Sequence, residues 1–153
     1  MPGLTNQYIT DLGKKICGKS FLGVYPCDIQ PQFQERYCKF SIVFNTDKHN
    51  EEGEHFVAIY CDREKIIYFD SFGEKCKNKN IKKFIKLNLN GRKFNYNKKC
   101  IQDNKSLFCG LYCLSFIMFQ NNNISLCKYL KYFSTTNLLS NDKLVTKIIT
   151  NEI

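Results

Sequence analysis

The sequence predicts an α+β protein in which a mixed or antiparallel sheet packs on one central helix. Three observations carry that expectation. Residues 107–120, LFCGLYCLSFIMFQ, are apolar nearly all the way round, as a helix enclosed on every side must be. Residues 39–45, 55–62 and 65–73 (KFSIVFN, HFVAIYCD and KIIYFDSFG) are β-branched and aromatic runs of strand length. The order is helix, then strands, then helices, which points to segregated layers rather than alternating βα units. With 153 residues the chain is read as one domain spanning 1–153.

From Thr5 to Ile16, apolar Tyr8, Ile9, Leu12 and Ile16 recur near the helical period, with Thr5 or Asn6 as cap and Gly18 beyond the end. FLGVYPCDIQP follows as strand or loop, interrupted by Pro26 and Pro31. After the first strand, TDKHNEEGE makes a polar turn. The short DRE link between the next two strands predicts a hairpin. Residues Asn80 to Leu89 suit a short basic helix, and GRKFNYNKKCIQ suits a short strand added to the same sheet. NNN closes the central helix, and helical patterns follow at Ser125–Phe133 and Asn141–Ile149.

Composition narrows the function classes. The chain is 43% hydrophobic and 14% aromatic, enough for a packed core and against wholesale disorder. No apolar run approaches the roughly 20 residues of a membrane helix, so no membrane partner is expected. MPGLTNQYITDLGKK lacks the apolar core of a secretory signal, so the protein is expected to be unsecreted, in a reducing compartment. Nine cysteines are an odd count without a C-x2-C pair, and only two histidines accompany them. Free thiols, several of them small core residues, are therefore expected, with no metal site and no disulfide framework. A monomer is expected. The net charge of +9 is uneven: Lys75 to Lys105 holds eleven Lys or Arg against one acid, Asp103. That stretch fits a polyanion such as nucleic acid, an acidic protein partner, or a plain solvated surface.

Chemistry concentrates in QDNKSLFCGLYCLSF, Gln102 to Phe116. A thiol is nucleophilic as thiolate, and a helix N-terminus favours that negative charge through its unpaired N–H groups. Cys109 stands at such a position, and Gly110 beside it would let substrate approach the backbone. His55 opens a strand and can serve as general base and then acid. Asp70 ends the next strand. A turn centred near residue 63 sets His55 roughly opposite Asp70 or Ser71, where a carboxylate could orient the imidazole. Gln102 carries an amide NH2 suited to an oxyanion hole, with the Cys109 N–H as second donor. Taken singly, each has an ordinary structural reading: a half-buried strand histidine, a turn aspartate, a core cysteine. The four together favour nucleophilic catalysis. His49, the other histidine, falls in the polar turn and is expected to be an exposed loop residue.

These residues resemble the adenovirus-type maturation proteases (adenain), which share a fold with the Ulp1-type SUMO and ubiquitin-like proteases. Three blocks carry the resemblance: FLGVYPCDIQPQF; SIVFNTDKHNEEGEHFVAIY running into KIIYFDSFG; and Gln102 followed by CGLYCLSF. They span residues 21 to 116. By matching position the resemblance implies His55 as base, Asp70 as its orienter, Gln102 as oxyanion donor and Cys109 as nucleophile. The order His, acid, Cys is the reverse of papain's. Phe56 stands where the family usually has tryptophan, and Asp70 where adenain has Glu. The resemblance further implies a cysteine endopeptidase that cleaves viral capsid or core precursor proteins after small, glycine-containing motifs. It would act in the virion and in the infected cell, in the cytoplasm or virus factory. No cofactor is required by the sequence. DNA and a viral peptide are the activators the family suggests, DNA through the Lys75–Lys105 region; the peptide's docking residues have no match here. Taken with its small size and its lysine- and asparagine-rich composition, the resemblance further implies a source in a small DNA virus, a virophage or a related mobile element. Two alternatives stand beside this: an isopeptidase acting on ubiquitin or ubiquitin-like modifiers, and a non-enzymatic basic nucleic-acid-binding protein.

Overall fold

The β-branched and aromatic runs assemble into one five-stranded sheet, seen in a computed structural model that describes residues 4–31, 38–51 and 55–151. In chain order the elements are α1 (Asn6–Ile16), β1 (Phe21–Pro26), β2 (Phe40–Asn45), β3 (Phe56–Cys61), β4 (Lys65–Phe69), α2 (Lys79–Asn88), β5 (Lys93–Tyr96), α3 (Cys109–Asn121), α4 (Leu126–Lys131) and α5 (Leu139–Asn151). The strands lie side by side in sequence order. β2, β3 and β4 are antiparallel, whereas the outer strands β1 and β5 run parallel to their neighbours, so the sheet is mixed as expected.

Strands β2 and β3 read as continuous apolar runs because both faces of the sheet are covered. Phe40, Ile42, Phe44, Val57, Ile59, Ile66 and Tyr68 pack under α2 with Ile81, Phe84 and Ile85. Val43, Phe56, Ala58, Tyr60, Ile67 and Phe69 face the opposite cluster, built from α1, α3, α4 and α5. Period-two alternation sends neighbouring residues to opposite faces. Helix α3 runs through that second cluster. Leu111, Tyr112, Cys113, Leu114, Phe116, Ile117 and Met118 are all buried, which explains an apolar surface without a polar side. Phe116 stacks on Phe69 with ring centroids 4.6 Å apart. Tyr129 closes over both rings while its hydroxyl meets Ser115 at 2.7 Å, so a buried polar atom is satisfied.

Local chemistry sets the helix ends. Thr5 caps α1 by accepting the Tyr8 N–H at 3.1 Å. Asn78 caps α2 through the N–H groups of Asn80 and Ile81, so this helix starts one residue before the expected Asn80. The run FLGVYP resolves into a strand, with Pro26 at its last position on the sheet edge, where a missing N–H is tolerated. β4 stops at Phe69 instead of continuing to Gly73, because Asp70 and Gly73 close a turn (2.8 Å). The long GRKFNYNKKCIQ segment contributes only Lys93–Tyr96, and α3 begins at Cys109 rather than Leu107. All nine cysteines are free, six of them buried. Among the described residues no helix is long and apolar enough to cross a membrane.

Candidate active site

His55 immediately precedes β3 and Asp70 immediately follows β4, so the antiparallel pair delivers both to one end of the sheet. Extending the register from Ala58↔Phe69 sets His55 level with Phe72, not with Asp70 or Ser71. The sharp turn after Phe69 then returns the Asp70 carboxylate to the imidazole. His55 Nε2 lies 2.8 Å from Asp70 Oδ1. Phe72, which the sequence did not single out, stacks on the His55 ring with centroids 4.7 Å apart and planes 27° off parallel. Its backbone N–H also donates to Asp70 Oδ1 (2.9 Å). Ring, carboxylate and turn are thus locked together.

The turn is held from behind by residues that pattern alone could not reveal. Asn97, fully buried just after β5, accepts the Asp70 N–H at 2.9 Å and donates back to the Asp70 carbonyl. The Ser71 carbonyl accepts the N–H groups of Ile101 and Gln102 at 2.9 and 3.2 Å. Gly73 has φ +74, and a Cβ there would fall 2.7 Å from the backbone of Lys99 and Cys100. Two backbone segments meet at that glycine, so no side chain fits.

Cys109 is the first residue of α3 and only 8% exposed. It lines the same cleft as His55, near enough to that imidazole to help raise its pKa. With Nε2 committed to Asp70, Nδ1 is the ring nitrogen left for the sulfur. Burial by itself pulls the His55 pKa down. The hydrogen bond and charge of Asp70, together with those of Cys109, outweigh it and push the value up to about 9. An imidazolium facing sulfur and carboxylate is therefore favoured at neutral pH. Among the described residues nothing accepts the Cys109 backbone N–H, as expected in a first helical turn.

Gln102 is buried at 1% exposure. Its Oε1 accepts from the Ser71 hydroxyl, and its Nε2 donates to the Ser106 carbonyl at 3.0 Å. An amide NH2 has two hydrogens, so one remains for the cleft. That cleft, of about 790 Å³, is lined by His55, Phe56, Phe72, Gln102 and Cys109, with Asp70 standing behind the imidazole. All four residues expected from the sequence therefore converge. His49 does not join them; it is exposed and pairs with Asp28.

One expectation is corrected. The position a Gly110 side chain would take is filled by Ile9 (2.6 and 2.8 Å) and Phe56 (3.3 Å). Gly110 lets α1 and β3 pack against α3; it is not open to substrate.

The five-stranded mixed sheet, with a cysteine at the mouth of a buried helix and a histidine and an aspartate at the ends of adjoining strands, is a fold shared with solved protease structures. Among solved structures the chain is similar to the ASFV protease, with a TM-score of 0.64 and 19% identity over 89% of this chain and 64% of that one. A second crystal structure of the ASFV protease aligns with a TM-score of 0.51 and 23% identity, covering 66% of this chain and 41% of the other. ChlaDub1 from Chlamydia trachomatis aligns over 94% of this chain and 77% of its own, with 15% identity and a TM-score of 0.47. The chain thus spans less than two thirds of the ASFV protein. No family model and no curated protein matches the sequence.

Proposed function

We propose that the chain is a cysteine-type peptidase whose nucleophile is Cys109. The observation that carries this is the cleft at the mouth of α3 that brings Cys109 together with a His55 ring held by the Asp70 carboxylate at 2.8 Å. In the reaction the thiolate attacks the scissile carbonyl and a C–S bond forms. The oxyanion accepts from the free Gln102 Nε2–H and the Cys109 N–H. His55 gives its proton to the leaving amine as the C–N bond breaks. Water, deprotonated by His55, then attacks the thioester, and sulfur leaves as thiolate.

The proposed substrates are viral capsid or core precursor proteins, cut after small, glycine-containing motifs during maturation in the virion or infected cell. Resemblance to the adenovirus-type proteases supports this choice. The cleft also suits main chain: among the described residues no lysine, arginine, aspartate or glutamate lines it. DNA is the proposed activator. A separate groove of about 470 Å³ between α2 and β5 supports it, with Lys75, Lys77, Lys82 and Lys86 around Phe94 and Tyr96. The test incubates the purified protein with candidate precursor proteins, with and without DNA, and maps new ends by mass. Ubiquitin- and ubiquitin-like-fluorophore conjugates run alongside. New ends after glycine in precursors support the proposal; release from a modifier alone assigns an isopeptidase, and neither product in any arm overturns the peptidase.

Two further outcomes follow from the geometry. Gln102→Ala lowers kcat by roughly 10²–10³, the cost of one oxyanion donor, with KM little changed. The pH profile is set by His55, whose folded pKa of about 9 exceeds the roughly 6.5 of an unfolded histidine. Its contribution to stability is full below about pH 6.5 and is lost as pH rises through about 9. Activity falls over the same alkaline limb, because the imidazolium that protonates the leaving amine disappears. Asp70→Asn removes a hydrogen-bonded charge and moves that limb to lower pH in kcat/KM titrations.

A further inference from the structure

The Gln102 amide is gripped from two sides, and the outer grip is anchored on α5. On the inner side the Ser71 hydroxyl donates to Oε1. On the outer side the Ser106 carbonyl takes one Nε2 hydrogen at 3.0 Å. Ser106 is itself fixed: its hydroxyl donates to Asp142 Oδ1 on α5 (2.8 Å) and accepts the Phe108 N–H (3.2 Å). Phe108 is the residue from which α3 starts, and its carbonyl accepts the N–H groups of Leu111 and Tyr112. The neighbouring Asn141, buried, donates to the Ile101 carbonyl at 2.8 Å, one residue before Gln102. Tyr112 of α3 donates its hydroxyl to the same Asp142 oxygen at 2.8 Å. One carboxylate on the C-terminal helix therefore touches the segments that carry both oxyanion donors.

We infer that Asp142 is a positioning residue: through Ser106 it sets the orientation in which the Gln102 Nε2–H and the Cys109 N–H face the cleft, with Ser71 as the opposing clamp. The inference rests on Cys109 acting as the nucleophile proposed above. A side-chain amide swings about three bonds, and an oxyanion donor is useful only within hydrogen-bond reach of the developing charge. Ser71 alone fixes the oxygen end. The Ser106 carbonyl fixes which hydrogen is spent, and Asp142 keeps that carbonyl in place.

The test separates orientation of the donors from general damage by using two reactions on the full chain. Iodoacetamide alkylates the Cys109 sulfur with loss of iodide and develops no oxyanion. A short peptide ending in glycinal instead adds the sulfur to its carbonyl carbon, and the carbonyl oxygen takes the electron pair where the scissile oxyanion would form. In Asp142→Ala the glycinal binds about tenfold more weakly, less than the roughly 10²–10³ of losing a donor outright. Cys109 alkylation, read by mass, stays within about twofold of the starting protein. Asp142→Asn, which keeps an acceptor oxygen, recovers most of the glycinal affinity, and Ser71→Ala loses it as Asp142→Ala does. If Asp142→Ala does not fold, Ser106→Ala decides by the same split. Unchanged glycinal affinity in these variants, or an equal loss in both reactions, overturns the inference. If the unaltered protein neither adds glycinal nor alkylates Cys109 faster than the exposed Cys38, the assignment of the nucleophile falls instead.

Discussion

Cys109→Ala abolishes peptide-bond cleavage, by roughly 10⁴-fold or more, while the protein still folds. The side chain removed is small, and its only role in packing is at the mouth of α3, where it is already 8% exposed to the cleft. Asp70 still holds His55 at 2.8 Å, Phe72 still stacks on the ring, and Gln102 keeps both of its partners. The variant therefore melts within a few degrees of the starting protein and keeps an intact cleft without a nucleophile. Measured against precursor proteins, it should still bind what it cannot cut. Cleavage that survives in this variant would end the mechanism, because among the described residues no other cysteine lines the cleft.

Gly73→Ala has the largest expected effect on stability. Its φ of +74 is a conformation a side chain resists, and its Cβ would lie 2.7 Å from Lys99 C and Cys100 N. The contact is backbone against backbone, so no rotamer change relieves it. Left-handed strain and overpacking together cost about 3 kcal/mol or more. For a chain of this size that lowers the melting temperature by roughly 6–12 °C. The same turn carries Asp70 and Ser71, so activity falls with it. Gly18→Ala is the matched comparison: φ is +75, but nothing lies within 4 Å, and only the conformational cost of about 1 kcal/mol remains. Equal melting temperatures for the two variants would remove the close approach at Gly73 as the cause.

The readable parts of this molecule are those whose signal is local. The β3–β4 hairpin follows from two strand-like runs and a three-residue link, and α3 from fourteen residues without a polar face. That His55, Asp70, Gln102 and Cys109 converge on one end of the sheet could be anticipated because the roles proposed for them, base, orienter, oxyanion donor and nucleophile, are filled by few residue types. Pattern could not reach contacts made across the sheet. Asn97 and Asp142 look like any loop or helix polar residue until the backbone brings them to Asp70 and Ser106. Gly110 was misjudged for the same reason: whether a missing Cβ faces solvent or Ile9 depends on where α1 docks. β1 stayed ambiguous because a parallel edge strand needs a long connection to reach its partner, and nothing near FLGVYP announces β2. Phe72 was hidden by counting the hairpin one residue short.

The hairpin also has a consequence for how the site comes into being. Histidine and aspartate arrive together on a short local element, whereas the sulfur reaches them only when a helix from much later in the chain docks. Before that docking the thiol has no imidazole beside it and behaves as an ordinary cysteine. Under the proposed mechanism a chain still emerging from the ribosome would therefore lack a competent nucleophile, and the onset of cleavage would mark the completion of folding rather than its beginning.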